Sequence, residues 1–154
     1  MKKKVLVLAL ILTLFAVFSA SAYQMAIGGE FSLRVGEGLP NSALLSFRLP
    51  KFPPVFGLGL TTAEPSRVVL LADWWLAQGN LFSFVNYYVG PGIFVAISDS
   101  ATLGIRVPIG LNAYPIKPLE IFLEFAPAFY LLGDDTITIP SFGLQAGFGF
   151  RFWF

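Results

Sequence analysis

The sequence predicts an all-β protein: an eight-stranded antiparallel up-and-down transmembrane β-barrel, preceded by a cleaved signal peptide. Three observations predict it. The 154-residue chain is 56% hydrophobic and only 12% charged, where a soluble domain carries about 25% charged residues. After residue 22, Pro or Gly interrupts every apolar run before it reaches the ~20 residues a spanning helix needs. The hydrophobicity lies instead on alternate residues, most clearly in FGLQAGFGFRFWF, Phe142 to Phe154. Phe142, Leu144, Ala146, Phe148, Phe150, Phe152 and Phe154 share one face. Gly143, Gln145, Gly147, Gly149 and Arg151 share the other, with Trp153. A period of two is a strand with two faces, and an apolar face backed by a small or polar one is how a barrel wall meets lipid.

Residues 1–22 read as an export signal. Lys2, Lys3 and Lys4 form a basic start, Val5 to Ala20 is apolar, and Ala20-Ser21-Ala22 is a small-residue cleavage site. Cleavage after Ala22 leaves residues 23–154 as the barrel. The apolar run is too short to span a bilayer as a helix.

The first strand is expected over about Gln24–Val35, where Ile27, Phe31, Leu33 and Val35 alternate with Gly28, Glu30, Ser32 and Arg34. Gly36 to Asn41 turns the chain. The second strand, about Ser42–Leu49, points Ala43, Leu45, Phe47 and Leu49 outward. Pro50, Pro53 and Pro54 bracket the next turn, and the third strand runs about Val55–Thr62. Glu64-Pro65-Ser66 leads to the fourth, about Arg67–Ala77, and Gln78-Gly79-Asn80 is read as its closing turn. The fifth covers about Val85–Ile97 with a break at Gly90-Pro91-Gly92. The sixth, Thr102–Tyr114, and the seventh, Leu119–Tyr130, are joined through Pro115-Ile116-Lys117-Pro118. Gly133-Asp134-Asp135 precedes the terminal strand. An even strand number puts both barrel ends of the chain on the periplasmic side.

Charge provides a separate check on this assignment. Without the three leader lysines, seven cations stand against nine carboxylates, and no basic patch suggests nucleic acid. Glu30, Arg34, Arg48, Arg67, Asp73, Arg106, Glu120, Glu124 and Arg151 all fall on inward faces, which predicts a paired interior network. No charge falls on an outward face, where Arg or Lys would cost roughly 2–4 kcal/mol at the bilayer midplane.

The chain has no Cys and no His, which excludes disulfides, His-based triads and His metal ligands. Glu120 and Glu124 share one strand face, a pattern that can serve glycoside hydrolysis. Arg106 and Arg151 are their expected neighbours, so ion pairing is the preferred reading. The glycine-rich pieces lack a phosphate loop's Lys-Ser/Thr signature and following helix. No enzyme activity, cofactor or metal is expected.

Pro91, Pro108 and Pro127 fall inside the fifth, sixth and seventh strands. Proline removes a ladder donor and normally keeps to edges and bulges. This row marks a bulged wall, or a lateral gap that passes a small apolar ligand between lumen and bilayer.

LGIRVPIGLNAYPIKPLEIFLEFAP (Leu103 to Pro127), with ADWWLAQGNLF, YYVGPG and the terminal aromatic strand, resembles a family of small, uncharacterised outer-membrane barrels of diderm bacteria. The resemblance implies an eight-stranded outer-membrane barrel with a signal peptide and no enzymatic activity. Family members often carry a basic residue near the position of Phe94, and this chain departs from them there. The resemblance also implies that Phe148, Phe150, Phe152 and Phe154 form an assembly signal read by the barrel-assembly machinery. Outer-membrane lipid and that machinery are therefore the expected partners. The expected function is a structural or interaction barrel with a side-chain-filled lumen. Passage of small hydrophobic molecules is the first alternative. A soluble periplasmic lipocalin-like binder, with the apolar face inside and the arginines outside, is the second.

Overall fold

The computed structural model describes residues 25–36, 38–49, 52–133 and 140–154. The expected signal segment and cleavage site lie outside the described residues, as do Glu37, Lys51, Asp134 and Asp135. The described chain is all β. In order it forms β1 (Ala26–Val35), β2 (Ser42–Leu49), β3 (Phe52–Thr61), β4 (Val68–Trp74), β5 (Ala77–Phe82), β6 (Val85–Val89), β7 (Gly92–Ile97), β8 (Ala101–Arg106), β9 (Ile109–Ile116), β10 (Leu119–Leu132) and β11 (Ser141–Trp153).

These segments build eight staves. Three staves are each made of two pieces: β4 continues into β5, β6 into β7, and β8 into β9. Antiparallel pairing runs β11-β1-β2-β3-β4-β7-β8-β10, and β10 pairs with β11 to close the ring. The long strand β10 meets β9 along its first half and β8 along its second. Following the register from Leu70 through β3, β2, β1 and β11 arrives at Ile121 of β10. Following it through β7 and β8 arrives at Leu132. That offset is the stagger of a closed, tilted barrel.

The two faces separate as the alternation predicts. Phe31, Leu45, Leu58, Leu70, Ile93, Ile105, Leu111, Leu123 and Phe148 are each about half exposed on the outer surface. Glu30, Asp73, Arg106, Glu120, Glu124 and Arg151 are buried inside. This is the reverse of the lipocalin-like arrangement, which needs the apolar face within.

Three expected boundaries are corrected. Gln78-Gly79-Asn80 is strand, not turn, and pairs with Tyr88, Tyr87 and Asn86. Its amides face the barrel mouth, which explains their polarity without a turn. The turn lies instead at Ser83-Phe84, where Ser83 takes a positive φ of 49° as two-residue hairpin loops require. Pro53 and Pro54 belong to β3, and Ile116 still belongs to β9.

Candidate functional site: the barrel interior

The interior is filled in three tiers. At the end carrying the β1–β2 and β3–β4 loops, Leu39, Leu44, Val69, Leu71, Phe94, Ala96, Ala128 and Tyr130 form an apolar plug. Leu39 belongs to the β1–β2 loop yet is only 4% exposed. Its backbone N–H donates to the Tyr130 hydroxyl at 2.9 Å, which fixes that loop against the barrel. Phe94 meets Tyr130 edge-on, with ring centroids 5.1 Å apart.

The middle tier is centred on Arg106. Its Nε donates to Asp73 Oδ1 at 3.0 Å and its Nη2 to Asp73 Oδ2 at 2.8 Å. Nη2 also reaches Glu124 Oε1, and Nη1 donates to Gln145 Oε1 at 2.8 Å. The Tyr88 hydroxyl donates to the other Glu124 oxygen at 2.8 Å. Each charged group is thereby held by bidentate or charge-assisted bonds, which offset the cost of removing it from water. Glu30 is buried in the interior, and its Oε1 has no partner among the described residues.

Below it, Arg151 Nε donates to Ser46 Oγ at 2.9 Å and Nη1 to Glu120 Oε1 at 3.2 Å. The same guanidinium lies 3.8 Å from the Phe122 ring centre. Glu120 also accepts from Asn112 Nδ2 at 2.8 Å and Trp153 Nε1 at 2.9 Å. Trp75 stacks on Tyr88 with centroids 3.8 Å apart. Arg48 covers the other region of this tier, 4.3 Å from the Trp75 ring centre and 5.7 Å from that of Trp153.

Glycines make these contacts possible. Asp73, Gly92 and Arg106 share one register row on β4, β7 and β8. A Cβ added to Gly92 would overlap Asp73 Oδ1. Tyr88, Gly110 and Glu124 form a second such row on β6, β9 and β10, and Phe94, Gly104 and Tyr130 a third. In every case the outer two side chains meet above the glycine between them.

Six of the nine charged residues singled out by sequence thus make their contacts in the inner tiers: Arg48, Asp73, Arg106, Glu120, Glu124 and Arg151. Arg67 is buried nearer the loop end, where Nη1 donates to Thr102 Oγ1 at 3.4 Å. Arg34 is corrected: it is exposed at the rim, and its Nη1 donates to the Gly38 carbonyl at 3.3 Å. A rim position has the same inward phase as a central one, and only its height differs. Gln145, which shares the inward phase of Arg151, joins the network as that phase predicts, whereas sequence reasoning missed Tyr88, Asn112, Ser46 and Trp153 as members. Their inward phase was readable, but neutral partners attract no notice until a register aligns them with charges.

The prolines form a diagonal across the wall. Trp74 N–H donates to the Pro91 carbonyl at 2.8 Å, Gly90 N–H to that of Pro108 at 3.3 Å, and Val107 N–H to that of Pro127 at 2.9 Å. Each proline lacks a donor, yet its carbonyl ties it to the next stave. Pro108 is buried, while Pro91 is exposed.

On the outer face, Phe148, Phe150, Phe152 and Phe154 are all exposed. Phe31 stacks on Phe148 at 5.6 Å. Among the described residues no group of three or more Asp or Glu side chains could hold a metal ion.

No family model and no curated protein matches the chain. Two solved structures resemble it. The N-terminal β-barrel domain of Pseudomonas aeruginosa OprF is 15% identical with a TM-score of 0.61, over 85% of this chain and 97% of that one. Ail, the attachment invasion locus protein of Yersinia pestis, is 13% identical with a TM-score of 0.49, over the same shares. At these identities the OprF likeness shows a common fold, the closed eight-stranded barrel.

Proposed function

We propose that this protein is an integral outer-membrane barrel, non-enzymatic, which acts as a membrane-embedded structural scaffold with a closed lumen. The observation that carries the reading is the filling of the interior by three tiers of side chains behind an apolar outer wall. An exposed apolar band this large on a single chain needs a lipid or protein cover, and it encircles the whole barrel, as lipid does. The apolar plug, the Arg106 cluster and the Arg151 cluster occupy successive heights of a lumen that eight strands make only wide enough for side chains. The proline row supports the same reading, because its carbonyl bonds hold neighbouring staves together where a lateral gap was conceivable. The outward aromatics Phe148 to Phe154 stand where the barrel-assembly machinery can read them.

Two measurements test this. Membranes from expressing cells, washed with carbonate, should retain the protein until detergent is added. The purified barrel in planar bilayers should give no stable conductance. Release without detergent defeats the membrane assignment, and a steady ohmic channel defeats the closed lumen.

A further inference from the structure

At the end of the barrel where β1 begins and β11 ends, the filling stops short. A cavity of about 200 Å³ opens there between β2, β5, β6 and β9. Arg48 lines it together with Gln78, Asn80, Asn86, Asn112 and Tyr114. Liquid water occupies ~30 Å³ per molecule, so the space suits a group of several heavy atoms.

The chemistry of the lining is uneven. Arg48 is the only charged residue in it among the described residues. Its guanidinium rests against Trp75 and near Trp153, but no hydrogen-bond acceptor or ion-pair partner meets it among the described residues. The nearest candidate, Glu120, is already engaged by Arg151, Asn112 and Trp153. Stacking on indole faces leaves the edge donors of the fork free and holds the plane in place. The remaining lining is neutral. Asn80 Nδ2 already donates to the Ser83 and Val85 carbonyls and to Asn86 Oδ1, and Asn112 Nδ2 to Glu120. Gln78 is the lining amide with no such bond among the described residues, and it can both donate and accept.

We propose that this vestibule is a binding site for a carboxylate, taken bidentately by Arg48, with the Gln78 amide contacting polar groups next to it. A single cation matches a monoanion better than a phosphate dianion. An arginine with the Gln78 amide in the same lining matches the free C-terminus of a peptide, which presents a carboxylate beside a peptide bond. The site requires only the cavity and the stacked arginine, so its failure would leave the scaffold reading standing.

The test uses the full chain folded in detergent micelles. It is titrated with N-acetyl-alanyl-alanine, the corresponding C-terminal amide, and acetate. Indole fluorescence and the Arg48 side-chain ¹⁵N resonance are the readouts. The peptide acid should saturate with a dissociation constant on the order of 1 mM and shift the Arg48 resonance, while the amide should do neither. Peptide acid bound tighter than acetate assigns the site to peptide C-termini. Equal binding assigns it to small free acids. Arg48→Lys should weaken the acid roughly tenfold, since it keeps charge but loses the fork, and Arg48→Gln should abolish binding. Gln78→Ala leaves the stacked arginine intact and should lower the peptide affinity towards that of acetate. Equal binding of acid and amide, an unmoved Arg48 resonance in the unaltered protein, or full binding by a folded Arg48→Gln protein overturns the proposal.

Discussion

Asp73 and Arg106 stand on strands that do not touch, and they bind one another over Gly92. Strand β7 separates them, and Gly92 is the residue of β7 in their row. Two hydrogen bonds of 3.0 and 2.8 Å cross the space that a side chain at Gly92 would fill.

Gly92→Ala should therefore act as a charge mutation although it introduces no charge. The added methyl displaces Asp73 Oδ1 and splits the pair. A destabilisation of about 2–4 kcal/mol is expected, combining overpacking with a weakened buried ion pair. Urea unfolding in lipid vesicles measures it. Gly29→Ala serves as the control, because a Cβ there meets only the Phe150 ring at ordinary distance, 3.5 Å. Equal losses in both variants would sink the explanation.

Removing Arg106 should be worse than removing its partners with it. Arg106→Met leaves Asp73 and Glu124 facing each other without a cation, at a cost of about 3–5 kcal/mol. Adding Asp73→Asn and Glu124→Gln to the same chain should recover part of that loss. The signature is non-additivity in a mutant cycle, and strictly additive values would contradict a coupled cluster.

Position on the outer wall should matter as much as chemistry. Leu123→Arg places a cation on the outward face of β10, where Leu123 is 50% exposed. In vesicles the expected cost is roughly 2–4 kcal/mol. In water-soluble surroundings the same change at a half-exposed residue would cost little, so a negligible effect in vesicles would argue against lipid there.

The loop anchored by Leu39 gives a smaller effect with a local readout. Tyr130→Phe removes the acceptor of the Leu39 N–H while keeping the ring against Phe94. About 1 kcal/mol should be lost, with faster amide exchange at Leu39. Unchanged exchange would mean the loop is held by its apolar contact alone.

Pro108→Ala and Pro127→Ala should leave passage of apolar solutes unchanged. The carbonyls of both positions already hold the neighbouring stave, and alanine keeps those acceptors. A gain or loss of passage would revive the lateral route.

The period of two made the inside and outside of nearly every stave readable, because turning a strand over would bury its apolar set in a charged lumen. That is why Glu30, Asp73, Arg106, Glu120, Glu124 and Arg151 could be placed inward. It said nothing of which of them meet. Meeting depends on register, and register follows from loop geometry such as the Ser83-Phe84 turn, which has no Gly, Asn or Pro to announce it. Gln78-Gly79-Asn80 carried the stronger turn composition and is strand, since residues at a polar barrel mouth and residues in a solvent turn face the same medium. Arg34 shared the inward phase of Arg106 but sits at the rim, and alternation alone carries no information about height.

The rows in which two large residues meet over a glycine also govern how this wall could change over generations. A bulkier residue in place of Gly92 or Gly110 has room only if Asp73 or Tyr88 shrinks in step. Single replacements are blocked in both directions, since trimming Asp73 first strands Arg106 and trimming Tyr88 first takes a donor from Glu124. Lineages of such a barrel would drift by exchanges that run through whole rows, and co-variation reaching across the glycine strand, as between Asp73 and Arg106, would be the trace they leave.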